Sequence, residues 1–137
     1  MVFLLDQGSE FDGTLEQVWT FNRTHREHPH ASVSNVSIEQ VNENTRIMSY
    51  DFRVRDGLIK IKYKSTAHPP VGVTYEYLEG PFAGSKIFQY YVPKGDKTEV
   101  AMVGNLASPS LTDDELQSLY DDYARILYEE DNASMSE

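Results

Sequence analysis

The sequence predicts one α+β domain, in which an antiparallel sheet packs against a long C-terminal helix. Its 137 residues suit one hydrophobic core. Apolar and polar residues alternate in six segments between Val33 and Ala107, which is the period of strands. An amphipathic helical pattern then begins at Thr112. We therefore expect a domain over residues 1–128, followed by a disordered acidic tail over residues 129–137.

The N-terminal segment predicts a strand followed by two short helices. The strand is expected over Val2–Phe11. Thr14 and Gln17 have the spacing of a capping box, and Trp19 falls on the buried stripe of the first helix. The helical pattern continues beyond this first helix and ends at Pro29, because a proline disfavours the helical conformation of the residue before it.

Short turns join the six strands that follow. Residues 42–44, the pair Asp56-Gly57 and the loop Gly80–Gly84 are rich in turn-forming residues. A parallel crossover needs about a dozen residues, so strands joined this tightly are antiparallel neighbours. The pattern therefore predicts a meander with one apolar face and one polar face.

The C-terminal helix carries the clearest local signals. Thr112 and Glu115 form a second capping-box pair, and Leu111 and Leu116 occupy the hydrophobic-staple positions. One apolar stripe continues along the helix: Leu116, Leu119, Tyr120, Tyr123, Ile126 and Leu127. This stripe has to be buried, and the apolar face of the sheet is the only large surface predicted to cover it.

Composition and charge argue against several classes of function. The formal net charge is −10, and an acidic surface repels phosphate groups, so we expect no nucleic acid binding. We also expect no membrane insertion, because the apolar runs are too short. The chain has no cysteine, no signal-peptide pattern and no apolar run of about 18 residues. We expect a cytoplasmic monomer or weak homodimer. Basic residues on two successive strands are assigned to the solvated face: Arg53, Arg55, Lys60, Lys62 and Lys64.

The order of these elements resembles the helix-grip fold of the START and Bet v 1-like superfamily (SRPBCC), which includes polyketide cyclase relatives. The segment Phe11–Trp19 resembles the entry into the family's first helix, and Leu78–Ser85 resembles a strand–loop–strand segment of such domains. The resemblance implies a curved sheet of about seven strands around the last helix. It also implies a cavity that binds sterols, lipids, polyketides or plant hormones. The superfamily has no universal catalytic residue, so none is carried over.

Tyrosines are the strongest indication of a ligand site. All nine lie in the predicted sheet or last helix. A tyrosine on the inner face buries its ring, but its hydroxyl still needs a partner. A wet or ligand-filled cavity supplies one, and an aromatic core with hydroxyls at its rim is the alternative. Strand parity and the resemblance predict these ligand-binding residues: Tyr50, Phe52, Tyr63, Tyr75, Tyr77, Phe88, Tyr90, Met102 and Tyr123, with Met48 as a further apolar contact.

Three functions remain open. The first is non-enzymatic binding of a small hydrophobic or aromatic molecule, without a cofactor. The second is a cyclase or hydrolase that uses tyrosine hydroxyls or His68 as acid or base; an inward-facing carboxylate or histidine would favour it. The third is a protein-interaction domain with a collapsed cavity, as in the co-chaperone branch of the superfamily. No Ser-x-x-Lys, Gly-x-Ser-x-Gly or His-Glu-x-x-His motif occurs, so the catalytic residues stay unknown.

A metal site is not predicted. His25, His28 and His30 lie close together, but Pro29 interrupts the element that carries them. Zinc needs three or four ligands in a consistent geometry, and no cysteine completes the set. We assign these histidines to a solvated helix end.

Overall fold

The computed structural model describes residues 2–24, 31–54 and 57–135. Two helices, α1 and α2, and seven strands, β1 to β7, make up this part of the chain. In chain order they are β1 (Val2–Phe11), α1 (Leu15–Thr24), β2 (Val33–Asn42), β3 (Thr45–Val54), β4 (Gly57–His68), β5 (Gly72–Glu79), β6 (Lys86–Lys94), β7 (Lys97–Leu106) and α2 (Asp113–Met135). The predicted second short helix falls on residues 25–30, which lie outside the described ranges.

The seven strands form one antiparallel sheet in the order β1-β7-β6-β5-β4-β3-β2. The predicted meander is confirmed, because β2 to β7 pair consecutively. β1 joins at the far side by pairing with β7, so β1 and β2 are the two edges. Among the described helices, neither is long and apolar enough to cross a membrane.

Gly80 shows why the loop after β5 needs glycine. Its φ is +89°, a conformation that residues with a side chain rarely adopt. A Cβ atom there would lie 1.9 Å from the carbonyl oxygen of Lys60, so a side chain is also excluded by the neighbouring strand. The close approach lets residues 80–85 turn tightly and return the chain into β6.

Both predicted capping boxes are present. The backbone N–H of Thr14 donates to Oε1 of Gln17 at 2.8 Å, and the N–H of Gln17 donates back to the Thr14 hydroxyl at 3.2 Å. The pair Thr112 and Glu115 makes the same two bonds at 2.9 and 3.3 Å. These bonds satisfy backbone donors that a helix leaves open at its start, and they fix where α1 and α2 begin.

The apolar stripe of α2 packs on the inner face of the sheet, as predicted. Leu116, Tyr120 and Tyr123 are buried in one cluster with Phe52 and Phe82. The ring centroid of Tyr123 lies 4.9 Å from that of Phe52 and 5.3 Å from that of Phe82. Such tilted ring contacts add stabilisation beyond the buried area. The first half of α2 is therefore gripped by a dense aromatic core.

The predicted disordered tail is wrong as far as the described residues extend, because α2 continues to Met135. Ser32 donates from its N–H and its hydroxyl to Oε1 of Glu130, at 3.2 and 2.7 Å. Asn132 accepts from the N–H of Asp12 at 3.0 Å and donates to the carbonyl of Glu10 at 3.1 Å. The acidic composition gave no sign of this helical structure, because the segment is held by polar hydrogen bonds and not by burial of apolar side chains.

We predict that Tyr123→Asp will unfold the protein or nearly so. It places a charge in a buried aromatic cluster, at a cost above about 4 kcal/mol. Ser118→Asp is the matched control, because Ser118 is exposed on the same helix and the charge added is the same. It should change the free energy of unfolding by less than about 0.5 kcal/mol. Urea titrations followed by circular dichroism measure both; equal midpoints would mean that α2 is not docked on the sheet.

Candidate functional site

A pocket of about 320 Å³ lies between the concave face of the sheet and α2. Aromatic and aliphatic side chains form most of its wall. Strands β3, β4 and β5 supply the central part, and α2 covers it with Tyr123, Ala124, Leu127 and Tyr128. Phe11 and Trp19 close the end nearest α1, where the indole N–H donates to the carbonyl of Pro70 at 3.2 Å.

Six of the nine predicted ligand-binding residues lie on this wall. Strand alternation brings them together, because successive inward positions on paired strands fall side by side. Tyr63 is opposite Tyr77 in the β4–β5 ladder, and their ring centroids are 5.6 Å apart. Their role in ligand binding stays a prediction. The six are Tyr50, Tyr63, Tyr75, Tyr77, Met102 and Tyr123, and Met48 joins them.

Phe52 is a correction to the predicted set. It has no exposed surface and packs behind the pocket against Tyr123, so it belongs to the core that holds α2. Its parity was predicted correctly. Parity gives the face of a sheet, but it does not say where along that face helix contact ends and open space begins.

Phe88 and Tyr90 are also corrections, because they lie on the convex face of β6. Their rings stack there at 5.8 Å. The inward positions are instead buried Ile87, pocket-lining Gln89 and buried Tyr91. β6 is apolar on both parities apart from Gln89, so its pattern favoured the wrong face.

Gln89 faces the pocket because two tyrosines satisfy its amide. Its Nε2 donates to the hydroxyl of Tyr91 at 2.9 Å, and the hydroxyl of Tyr128 donates to its Oε1 at 3.3 Å. A partly buried amide that bonds through both its nitrogen and its oxygen loses little on leaving water. These bonds also tie α2 to β6.

The tyrosine hydroxyls at the inner end of the pocket bond to one another. Tyr50 and Tyr123 share a hydrogen bond of 2.6 Å, and the hydroxyl of Tyr77 donates to that of Tyr123 at 3.4 Å. The hydroxyl of Tyr63 donates to the sulfur of Met48 at 3.3 Å. Part of the polar requirement of these phenols is therefore met within the protein.

Three charged residues on the wall were missed by the sequence reasoning, Glu43, Arg46 and Asp131. Two of them, Arg46 and Asp131, influence a pocket tyrosine. Both act on the Tyr63 phenol: Arg46 lowers its pKa and Asp131 raises it. Arg46 could have been found, because it shares the inward parity of Met48 and Tyr50 on β3. Asp131 could not, because it lies in the segment predicted as a disordered tail.

Histidines contribute nothing to this site in the described part of the chain. His68 is exposed outside the pocket, where its ring bonds the hydroxyl of Thr74 at 3.0 Å. Residues 2–24, 31–54 and 57–135 contain no group of three or more potential ligands that could hold a metal ion. His25, His28 and His30 lie outside those ranges.

Solved structures share this architecture, although no family model and no curated protein matches the sequence. The ZhuI aromatase/cyclase from Streptomyces sp. R1128 superposes with a TM-score of 0.74 at 11% identity, over 98% of this chain and 94% of that one. A START superfamily protein from Mycobacterium smegmatis gives 0.71 at 11% identity, over 98% and 97%. Ara h 8.0201 gives 0.72 at 9% identity, over 98% and 97%. The chain has the helix-grip fold of START and Bet v 1-like proteins. The predicted resemblance is confirmed at the level of the fold.

Burial keeps the phenols of this helix-grip pocket neutral. It raises the pKa of Tyr50, Tyr77 and Tyr123 well above the ordinary value, and neighbouring phenols add to the effect. Burial likewise raises the pKa of Tyr63 to about 12. Neutral phenols keep their O–H groups as hydrogen-bond donors, which the bonds from Tyr77 to Tyr123 and from Tyr63 to Met48 require.

We predict a loss of stability above about pH 10, where tyrosines of the unfolded chain ionise. The raised folded-state pKa values mean that the unfolded state gives up protons first, so the free energy of unfolding falls as the pH rises. Tyr63→Phe should make this fall less steep between about pH 10 and 12. Urea midpoints at successive pH values measure it. Ionisation of all nine tyrosines near pH 10 in the folded protein, seen by ultraviolet absorbance, would contradict the burial of these phenols.

Proposed function

We propose that the protein binds a small hydrophobic or aromatic molecule in the pocket between the sheet and α2. The observation that carries the proposal is the wall itself: a concave space of about 320 Å³ lined mostly by rings and aliphatic side chains, with polar and charged groups among them. Sites for small ligands have this size and this balance of apolar surface with a few orienting groups.

The positions of the polar groups suggest how a ligand would be oriented. Tyr63 lies near the charged pair Arg46 and Asp131, while Tyr50 and Tyr123 bond to each other deeper in the pocket. An apolar ring system would lie against the aromatic wall. A carbonyl or hydroxyl group of the ligand would point toward Arg46, which donates hydrogen bonds and carries a positive charge.

The likeness to the ZhuI aromatase/cyclase supports a ligand of this kind, since the name of that protein describes the closing and aromatisation of rings. At 11% identity the likeness extends to the fold alone. The ligand class of this chain therefore rests on its own side chains, and the aromatic wall is the main argument.

We expect binding of the apolar fluorescent probe 1-anilinonaphthalene-8-sulfonate by the folded protein, weakened at least about fivefold by Tyr75→Leu. Tyr75 is half-buried on the pocket wall, so its ring would be lost from the site. Tyr90→Leu is the matched control, because it makes the same change on the adjacent strand but on the convex face. Equal weakening by both variants, with unchanged thermal midpoints, would contradict binding in the pocket. Native mass spectrometry of the purified protein would identify a co-purifying ligand.

A second candidate is a cyclase-type enzyme, and the specific observation that favours it is the pair Arg46 and Asp131 on the wall. A carboxylate in a pocket can remove a proton from carbon next to a carbonyl, and a guanidinium can stabilise the negative charge that develops on the oxygen. The Tyr63 phenol, whose pKa both residues influence, can donate to such a ligand only by giving up its bond to the Met48 sulfur.

Asp131→Asn separates the two candidates. If the protein is an enzyme, the variant should lose turnover by at least about a hundredfold while retaining the bound molecule, because an amide cannot accept the proton. Asp122→Asn, on the outer side of α2, is the charge-matched control. The measurement is the mass of the ligand that co-purifies with the Asp131→Asn variant, before and after this ligand is incubated with the parent protein. Unchanged ligand mass with the parent protein would support binding without catalysis.

A further inference from the structure

Strand β1 presents an open edge with apolar side chains on its convex side. It is the first strand of the sheet and pairs only with β7 in the described structure. Phe3 and Leu5 point to the convex face and are 80% and 68% exposed, and Leu5 lies opposite exposed Val103. Isolated exposed apolar residues are ordinary, but two on an open edge beside a third form a patch.

The concave side of the same edge is acidic. Asp6 lies opposite inward-facing Met102, in a groove between β1 and α2 that also contains Asp121 and Glu129. Burial raises the pKa of Asp6, and the negative charge of Asp121 raises it further, which places the two carboxylates near each other. Arg125 is the cation of the groove, and it is bonded to Asp122 and Glu129 at 3.3 and 3.6 Å.

At one end of this edge, the backbone already makes hydrogen bonds to a side chain of α2. Asn132 donates to the carbonyl of Glu10 and accepts from the N–H of Asp12. These are a donor and an acceptor of the kind that a neighbouring strand would offer. The regular stretch Val2–Asp6, before the break in register, remains open on that side in the described structure.

The other edge, β2, is less suited to pairing. Its register with β3 breaks between Ser34 and Ser37 and again between Gln40 and Asn42, and Asn35 has a φ of 54°. Bulges twist an edge and shorten the regular stretch, which hinders strand addition. A second copy of this chain is a poor partner for β1, because it would bring Asp6 and Asp121 against the same acidic groups.

We propose that β1 is a docking edge for an extended segment of a partner protein in which basic and apolar residues alternate. Main-chain hydrogen bonds to Val2–Asp6 would supply the pairing. Because side chains of a strand alternate between faces, one set of the partner's residues would lie beside Phe3 and Leu5. The other set would enter the groove beside Asp6 and Asp121, where positive charge is complementary.

The test uses a nine-residue peptide of alternating lysine and valine with blocked ends. It should bind the full chain, and backbone amide signals of Val2–Asp6 should shift in NMR spectra. Asp6→Asn combined with Asp121→Asn should weaken binding by about three- to tenfold, the loss expected for two exposed charge pairs. Glu39→Gln combined with Glu79→Gln removes the same charge on other strands and should leave the affinity unchanged, with equal thermal midpoints.

Two control peptides make the alternation testable. A peptide with the lysines and valines in separate blocks has the same charge, and one with glutamate in place of lysine has the same period; both should bind at least tenfold more weakly. Equal binding of the block peptide would reduce the effect to charge attraction and overturn the proposal. Signal shifts on β2 instead of β1 would also overturn it, as would concentration-dependent dimerisation of the chain through Val2–Asp6.

Discussion

The grip of the sheet on the aromatic half of α2 is the interaction on which the rest of the structure depends. Tyr120 and Tyr123 fix the first part of the helix against Phe82, with ring centroids 5.1 and 5.3 Å apart. The far end is fixed differently, by bonds from Glu130 and Asn132 to backbone groups. Because the helix is held at both ends, the curved sheet beneath its second half need not be filled by side chains. The pocket follows from that arrangement.

The tyrosine hydroxyls on the inner face have two kinds of surroundings, other tyrosine hydroxyls or the open space of the pocket. At the boundary of the aromatic core, Tyr50, Tyr77 and Tyr123 bond to one another, so part of their hydrogen-bonding requirement is met within the protein. Tyr75 faces the open space, half-buried, and its pKa is raised well above its usual value by burial and by nearby phenols. The sequence left two interpretations of the tyrosines open, an aromatic core and a lined cavity. Both therefore apply, to adjacent regions of one surface.

The sequence predicts the elements of this fold better than it predicts the site. Capping boxes and strand alternation are local signals, so α2 and the meander could be placed from residue types alone. The inner face of β6 was predicted wrongly because both of its faces carry apolar residues. The amide of Gln89 points inward, although polar side chains usually face solvent, because two tyrosines bond it. Asp131 was not predicted as a site residue because its segment was expected to be disordered. That helical turn is stabilised by bonds from Glu130 and Asn132 to the distant Ser32 and Asp12, which no local pattern encodes.

Under the proposed function, one end of the pocket distinguishes simple binding from catalysis. Its aromatic wall would suit a bound ring system in either case, and the fold is compatible with both. The difference lies in whether the Asp131 carboxylate reaches a carbon-bound proton of the ligand while Arg46 faces the neighbouring oxygen. If the ligand has no acidic C–H at that position, the same two residues can only orient it. If the proposed ligand binds, its chemistry therefore determines the role of Arg46 and Asp131, and the aromatic wall limits which ligands can enter.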